Sequence, residues 1–153
     1  MDCRINAGTC LLLYIKKCYN AFTGFRQNCF FEEITKMDEL ILTNTIIKES
    51  CHMAVEKVHD LLGDDLVAII LFGSCARGDF HGDSDIDIAI LTKSDRAEEM
   101  QYTDGLAAIA TEIAMTNFSV VNFVCIPDKE YEEKKEWYLF YKNIEREGRH
   151  IYG

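Results

Sequence analysis

Proline occurs once in the 153 residues, no internal repeat or low-complexity tract interrupts the chain, and no basic excess is present. Lys and Arg number 16 against 26 Asp and Glu, a formal net charge of −10. That balance, with a pI of about 4.8, excludes the basic surface of a nonspecific nucleic-acid binder. A nucleotide ligand stays open, because magnesium bridges an acidic protein to anionic phosphate. Long apolar runs are also missing. The early run at 10–15 stops at Lys16-Lys17, far short of the roughly 20 residues a membrane span needs, and no signal peptide is expected from it. Cysteine is present seven times, at positions 3, 10, 18, 29, 51, 75 and 125, but no pair has C-x-x-C spacing. The odd, scattered set reads as reduced thiols in a cytoplasmic protein. The four histidines are equally dispersed. His52 and His59 belong to a predicted helix surface and His81 to a solvated loop. A hydrophobic content of 48% and a charged content of 27% suit one soluble globular domain.

What is there concentrates between residues 73 and 87, which read Gly-Ser-Cys-Ala-Arg-Gly-Asp-Phe-His-Gly-Asp-Ser-Asp-Ile-Asp. An apolar run at Leu66–Phe72 leads in, and a second at 86–91 follows. Asp85 and Asp87 stand at i and i+2 of a predicted strand, so both carboxylates share one face and Ile86, Ile88 and Ile90 take the other. Such an open pair suits magnesium, with waters and substrate phosphates completing its octahedron. Gly73 ends the first strand, where a missing Cβ lets backbone approach a phosphate. Ser74 starts a predicted helix, whose first N–H groups form an anion site, and its hydroxyl can donate to phosphate. Arg77 lies one turn further on. Ser84 borders the aspartates, and with Gly73, Ser74 and Arg77 it makes up the candidate nucleotide-binding set. Cys75 fits as a small helix-start residue. Together these parts suit in-line attack on the α-phosphate of a nucleoside triphosphate.

The Gly-Ser-x-Ala-Arg-Gly-Asp form and the Asp-x-Asp pair resemble the signature of the DNA polymerase β-like nucleotidyltransferase superfamily, in its minimal nucleotidyltransferase (MNT) branch. The resemblance covers about residues 37–153. It implies an α/β (α+β) fold, a small mixed β-sheet flanked by helices. It places Gly73 and Ser74 at the phosphates of ATP or another nucleoside triphosphate, and Asp85 and Asp87, as catalytic residues, on Mg²⁺ or Mn²⁺. It also implies that AMP passes to an acceptor, with a helical HEPN-type protein as partner in an antitoxin–toxin pair. Superfamily members that nucleotidylate antibiotics supply a further alternative. The sequence departs from the family on the later strand, expected at 118–126, where a third carboxylate normally serves as metal ligand and base. That stretch offers only Ser119 and Asn122. Asn122 can give a carbonyl oxygen to a metal but cannot take a proton as a base. A non-catalytic module that binds nucleotide or toxin is therefore the competing expectation.

The remaining pattern divides the chain. Residues 1–36 hold four cysteines, five Lys/Arg and three acids without clear periodicity, and read as an atypical extension or an over-extended start before Met37. From Met37 on, one nucleotidyltransferase domain is expected. Apolar spacing predicts a helix over 43–62 with Ile47, Cys51, Ala54, Val58 and Leu61 inward, stopped by Gly63. A second helix is predicted from a Ser94 cap to about Thr116, with Met100, Leu106, Ile109, Ala110 and Ile113 as its stripe and Gly105 as a weak point. Pro127 ends the third strand, Asp128 opens a charged helix, and Trp137 to Ile144 form an aromatic last helix closed by Gly148. Those aromatics read as core, or as a partner-binding patch. A domain this short is expected to leave the acceptor to a partner protein or to another subunit, and a HEPN-type protein acceptor is favoured over an antibiotic.

Overall fold

The computed structural model describes residues 45–81 and 84–153. The expected extension at 1–36, and residues 37–44 of the expected domain, lie outside the described residues. Helix α1 (Thr45–Leu62) buries Ile47, Cys51, Ala54, Val55, Val58 and Leu62 along one stripe. Gly63, at φ +54°, then turns the chain through a short 3-10 segment, Gly63–Asp65. Strand β1 (Leu66–Phe72) follows, then the five-residue helix α2 (Gly73–Arg77) and strand β2 (Ile86–Thr92). A 3-10 turn (Glu98–Tyr102) leads into α3 (Thr103–Asn117) and β3 (Val121–Pro127). The chain closes with α4 (Asp128–Lys134), α5 (Leu139–Glu147) and β4 (Arg149–Tyr152).

The four strands form one mixed sheet in the order β3-β2-β1-β4. β1 runs antiparallel to β2 and β4, whereas β2 and β3 are parallel. A parallel pair needs a crossover, which α3 supplies. Side-chain alternation divides the sheet into two faces. Ile69, Leu71, Ile86, Ile88, Ile90 and Val121 pack under α1 and α3. Ala68, Ile70, Ala89, Leu91 and Ile126 pack under Tyr131 of α4 and Tyr141 and Ile144 of α5. The expected mixed sheet flanked by helices is the fold observed.

Several boundaries differ from the sequence expectation. The second helix starts later, because Asp95 and not Ser94 caps its lead-in. Asp95 Oδ1 accepts from the N–H groups of Ala97 (2.9 Å) and Glu98 (3.0 Å), while Glu98 Oε2 accepts from Asp95 N–H (3.2 Å). Ser94 Oγ instead donates to Asp65 Oδ2 at 2.5 Å. Met100 therefore falls outside the α3 stripe and is 76% exposed. The core end of α1 is Leu62, with Leu61 more exposed. Leu61 lies over Gly105, where an added Cβ would come within 2.8 Å of it, so this glycine lets α3 approach α1. The third strand starts at Val121, not 118, because Phe118 adopts φ +54° and caps α3 through its N–H to Ala114 O (3.1 Å). Trp137 and Tyr138 precede α5, and β4 was not expected at all.

A polar clamp ties the segment after β2 to α4 and α5. Arg96 donates to Glu130 Oε2 (2.9 Å) and to Tyr141 Oη (3.0 Å), and Tyr141 donates to Glu130 Oε1 (2.8 Å). Partial burial pushes the Glu130 carboxyl up, but the donors Arg96, Tyr141 and Lys134 outweigh it and hold the group at about 2 against an ordinary 4.5. A depressed folded-state value means that this stabilisation is complete above 4.5 and fades as pH falls toward 2. Glu130→Gln is predicted to lower the urea midpoint at pH 7, with the gap to wild type shrinking between pH 4.5 and pH 3. A gap independent of pH would contradict the clamp.

Candidate active site

Three strands deliver the polar groups to one end of one sheet face. Phe72 at the end of β1 is register-paired with Asp87 on β2, and Asp87 with Asn122 on β3. Asp85 lies two residues before Asp87 and on its side. The Asn122 amide brings the pair together. Its Nδ2 donates to Asp85 Oδ2 at 3.2 Å and to Asp87 Oδ1 at 3.1 Å. Two carboxylates in front of the amide select the nitrogen, since Oδ1 there would face lone pairs. Asp85 is exposed and Asp87 half-buried, which leaves the carboxylates accessible to a ligand from solvent.

Gly73 supplies the other wall. Its φ is +73°, and a Cβ at this position would lie 2.6 Å from Asp87 Oδ2. Only glycine gives both the backbone turn and the room beside the carboxylate. The residue chemistry fits magnesium. Two carboxylates stand on one face, a glycine opens space against one of them, and Asn122 can rotate to offer Oδ1. Among the described residues no group of three or more His, Cys, Asp or Glu is placed to hold a metal ion, and an ion on the Asp85–Asp87 pair would need further ligands from outside the protein.

The other expected site residues are more dispersed. Ser74 sits half-buried in α2, its carbonyl accepting from Gly78 N–H (3.0 Å) and Asp79 N–H (3.2 Å). Five residues give α2 little macrodipole, so a phosphate there would rely on the turn's own N–H groups and the Ser74 hydroxyl. Arg77 is engaged by two other carboxylates. Its Nε donates to Asp79 Oδ2 (3.2 Å) and its Nη1 to Glu147 Oε2 (3.0 Å), which ties α2 to α5. Ser84 closes the turn before β2, accepting from His81 N–H through Oγ (2.8 Å) and donating its N–H to His81 O (2.9 Å). Ser119, the second polar candidate of the expected third strand, is off the strand. Its hydroxyl shares a 2.7 Å hydrogen bond with Ser50 on α1. Cys75 is buried and its thiol is pushed up by that burial, as a packing residue would be. Burial likewise pushes Cys51 and Cys125 up to about 12.

Sequence reasoning missed two aromatic neighbours. Phe72 shares the Asp87 face, and Phe140 of α5 meets it edge-on at 5.7 Å between ring centres. Strand alternation carried the signal for Phe72, while the sequence marks Phe140 only as part of the aromatic stretch 137–144 and does not place it beside Asp87. A cleft of about 440 Å³ runs along the outer side of β3 against α3, lined by Leu106, Ala107, Phe123 and Asn122 among others. Asp85 and Asp87 do not line it, but Asn122, which donates to both, does, so the cleft borders the carboxylate pair through that residue.

The family model described as "Polymerase beta, Nucleotidyltransferase" matches residues 56–153, which span this whole arrangement. The chain belongs to that family. Its chemistry class is therefore nucleotidyl transfer. Two proteins of Methanocaldococcus jannaschii named "Putative protein adenylyltransferase" are similar in sequence. One is 34% identical over 84 residues, 55% of this chain and 76% of its own. The other is 43% identical over 58 residues, 38% of this chain and 36% of its own. Among solved structures, a tri-AMPylated Shewanella oneidensis HEPN toxin in complex with MNT antitoxin matches with a TM-score of 0.45 and 19% identity, over 70% of this chain and 72% of that one. A toxin–antitoxin structure with AMP-PNP matches with a TM-score of 0.41 and 26% identity, over 64% and 72%.

The contact at Gly73 gives a test of the site's construction. Gly73→Ala is expected to cost about 1–2 kcal/mol for the left-handed backbone alone, and more for the collision with Asp87. Asp87→Ala removes the colliding oxygen, so the double variant is predicted to lose less stability in urea unfolding than the sum of the singles. Simple additivity would show that the two side chains do not meet.

Proposed function

We propose that this nucleotidyltransferase transfers AMP from ATP to a hydroxyl group on a partner protein, with Asp85 and Asp87 as the metal-binding carboxylates. The observation that carries the reading is the convergence of Asp85, Asp87 and Asn122 beside the Cβ-free wall at Gly73. Magnesium held by the two aspartates would neutralise charge on the triphosphate. Gly73 and Ser74 would position the β- and γ-phosphates from the β1 side. The acceptor oxygen then forms a bond to the α-phosphorus, the bond from that phosphorus to the bridging oxygen breaks, and pyrophosphate leaves. The hydroxyl proton passes to solvent, because Asn122 offers no base at the third position.

A protein acceptor is supported by the name of the curated relatives and by the surface beside the site. Trp137 and Leu139 are 68% and 71% exposed, and Tyr138 and Phe140 continue the same apolar stretch up to Phe72. Exposed aromatics of this kind are enriched at protein interfaces. A HEPN-type helical protein, the partner implied by the MNT-like signature, is the acceptor we favour. Among the described residues no helix is long and apolar enough to cross a membrane, and the three described cysteines are free thiols, which fits the cytoplasm as the place of action. The second reading, a nucleotide-binding module without turnover, is favoured by one observation alone, the neutral residue at position 122.

Incubation with α-labelled ATP and Mg²⁺ in lysate of the host separates these readings. Wild type is expected to move label onto a protein band, and Asp85→Ala/Asp87→Ala to move none. Equal labelling by the double variant would overturn the assignment of the aspartates. Label on a small molecule alone would replace the protein acceptor with an antibiotic-like one.

A further inference from the structure

We infer that Asn122 makes this a one-metal site, in which a single divalent cation enters with the nucleotide and a second is excluded. The inference deepens the proposed function and rests on it. Asp85 and Asp87 carry at most two negative charges between them, and the third group facing them from β3 is a neutral amide at 3.1 and 3.2 Å. A two-metal site places its cations about 3.5–4 Å apart. Two divalent cations that close need shared carboxylates and further anionic ligands to offset their repulsion. Here the first cation can draw on both aspartates and on the triphosphate. A second, on the β3 side, would find the same two aspartates already engaged and only the Asn122 carbonyl oxygen.

The register locates this difference at one residue. Asn122 is directly paired with Asp87 across the parallel β2–β3 ladder, so their side chains share a face at the strand spacing of about 4.8 Å. A carboxylate at position 122 would therefore complete a three-acid cluster without any change of backbone. The amide also has a second task. By donating to both aspartates it holds them at the sheet end despite their mutual repulsion, keeping the pair set for the first cation. Asn122 is on this account a positioning residue that also fixes metal number.

Manganese counted by electron paramagnetic resonance in the presence of saturating AMP-PNP tests this on the full chain. Wild type is expected to bind one Mn²⁺ per chain and Asn122→Asp two, with the second site saturating at higher Mn²⁺ concentration. Asn122→Ala is expected to keep one site with weaker affinity, because the pair loses its clamp. Circular dichroism and thermal unfolding establish that each variant is folded. Two ions in the wild type would overturn the one-metal inference and leave the nucleotidyltransferase reading intact. One ion in folded Asn122→Asp would overturn the role given to position 122. No ion bound by wild type with the nucleotide would overturn both.

Discussion

Phe72, Asp87 and Asn122 stand in one row across β1, β2 and β3, and the site depends on that register. A strand slipped by one residue turns every side chain to the opposite face. A slip of β2 would turn Asp85 and Asp87 toward α1 and α3 and take Ile86, Ile88 and Ile90 out of the cluster they now fill, onto the face where Ala89 and Leu91 meet α4 and α5. The isoleucines therefore protect the position of the aspartates. All three are essentially fully buried where they stand, and burial of a side chain of this size contributes about 1.5–3 kcal/mol. The hydrophobic face holds the chemical face in place, and the Asn122 amide then donates to both carboxylates.

The sheet is covered unevenly, and that leaves the site accessible. α1 and α3 close one face over the apolar cluster, while α4 and the C-terminal part of α5 cover the middle of the other. At the end of this second face the strands emerge from under the helices, where Asp85, Asn122 and the Gly73 turn are found. Ion pairs at its border tie the pieces together. Arg77 joins α2 to α5 through Glu147, and Arg96 joins the segment after β2 to α4 through Glu130. An isolated surface pair such as Arg77 with Glu147 is worth little by itself and serves mainly to fix where α2 stands, whereas Glu130 gathers Arg96, Tyr141 and Lys134 and contributes to stability as well.

Much of this was legible from residues. The continuous apolar run at Leu66–Phe72 gave β1 with its bounds, and Asp-x-Asp on an isoleucine strand gave the shared face of the carboxylates. Periodicity could not show that Phe118 would take a left-handed conformation and delay β3, because the local sequence Asn117-Phe118-Ser119 still suits a strand. It could not reveal β4 either, four residues with half-polar alternation that owe their strand state to pairing with β1. The Asn122 position was visible as a polar break in an apolar strand. Its contact with both aspartates was not, since it follows from the parallel register. Arg77 and Ser84 illustrate the limit of reading a motif: their neighbours Glu147 and His81 occupy them in ways that the motif does not state.

In the proposed reading nucleotide and metal lie at the end of the β1–β2–β3 row, next to the 440 Å³ cleft that Asn122 also lines. Paramagnetic relaxation tests that placement most directly. Mn²⁺ added with AMP-PNP to the isotope-labelled protein should broaden the Asn122 side-chain amide and the Gly73 backbone amide first. Ile113, buried in α3 on the far side of the sheet, should stay sharp. Broadening centred on Leu106 and Ala107 in the cleft, with Gly73 unaffected, would contradict the account.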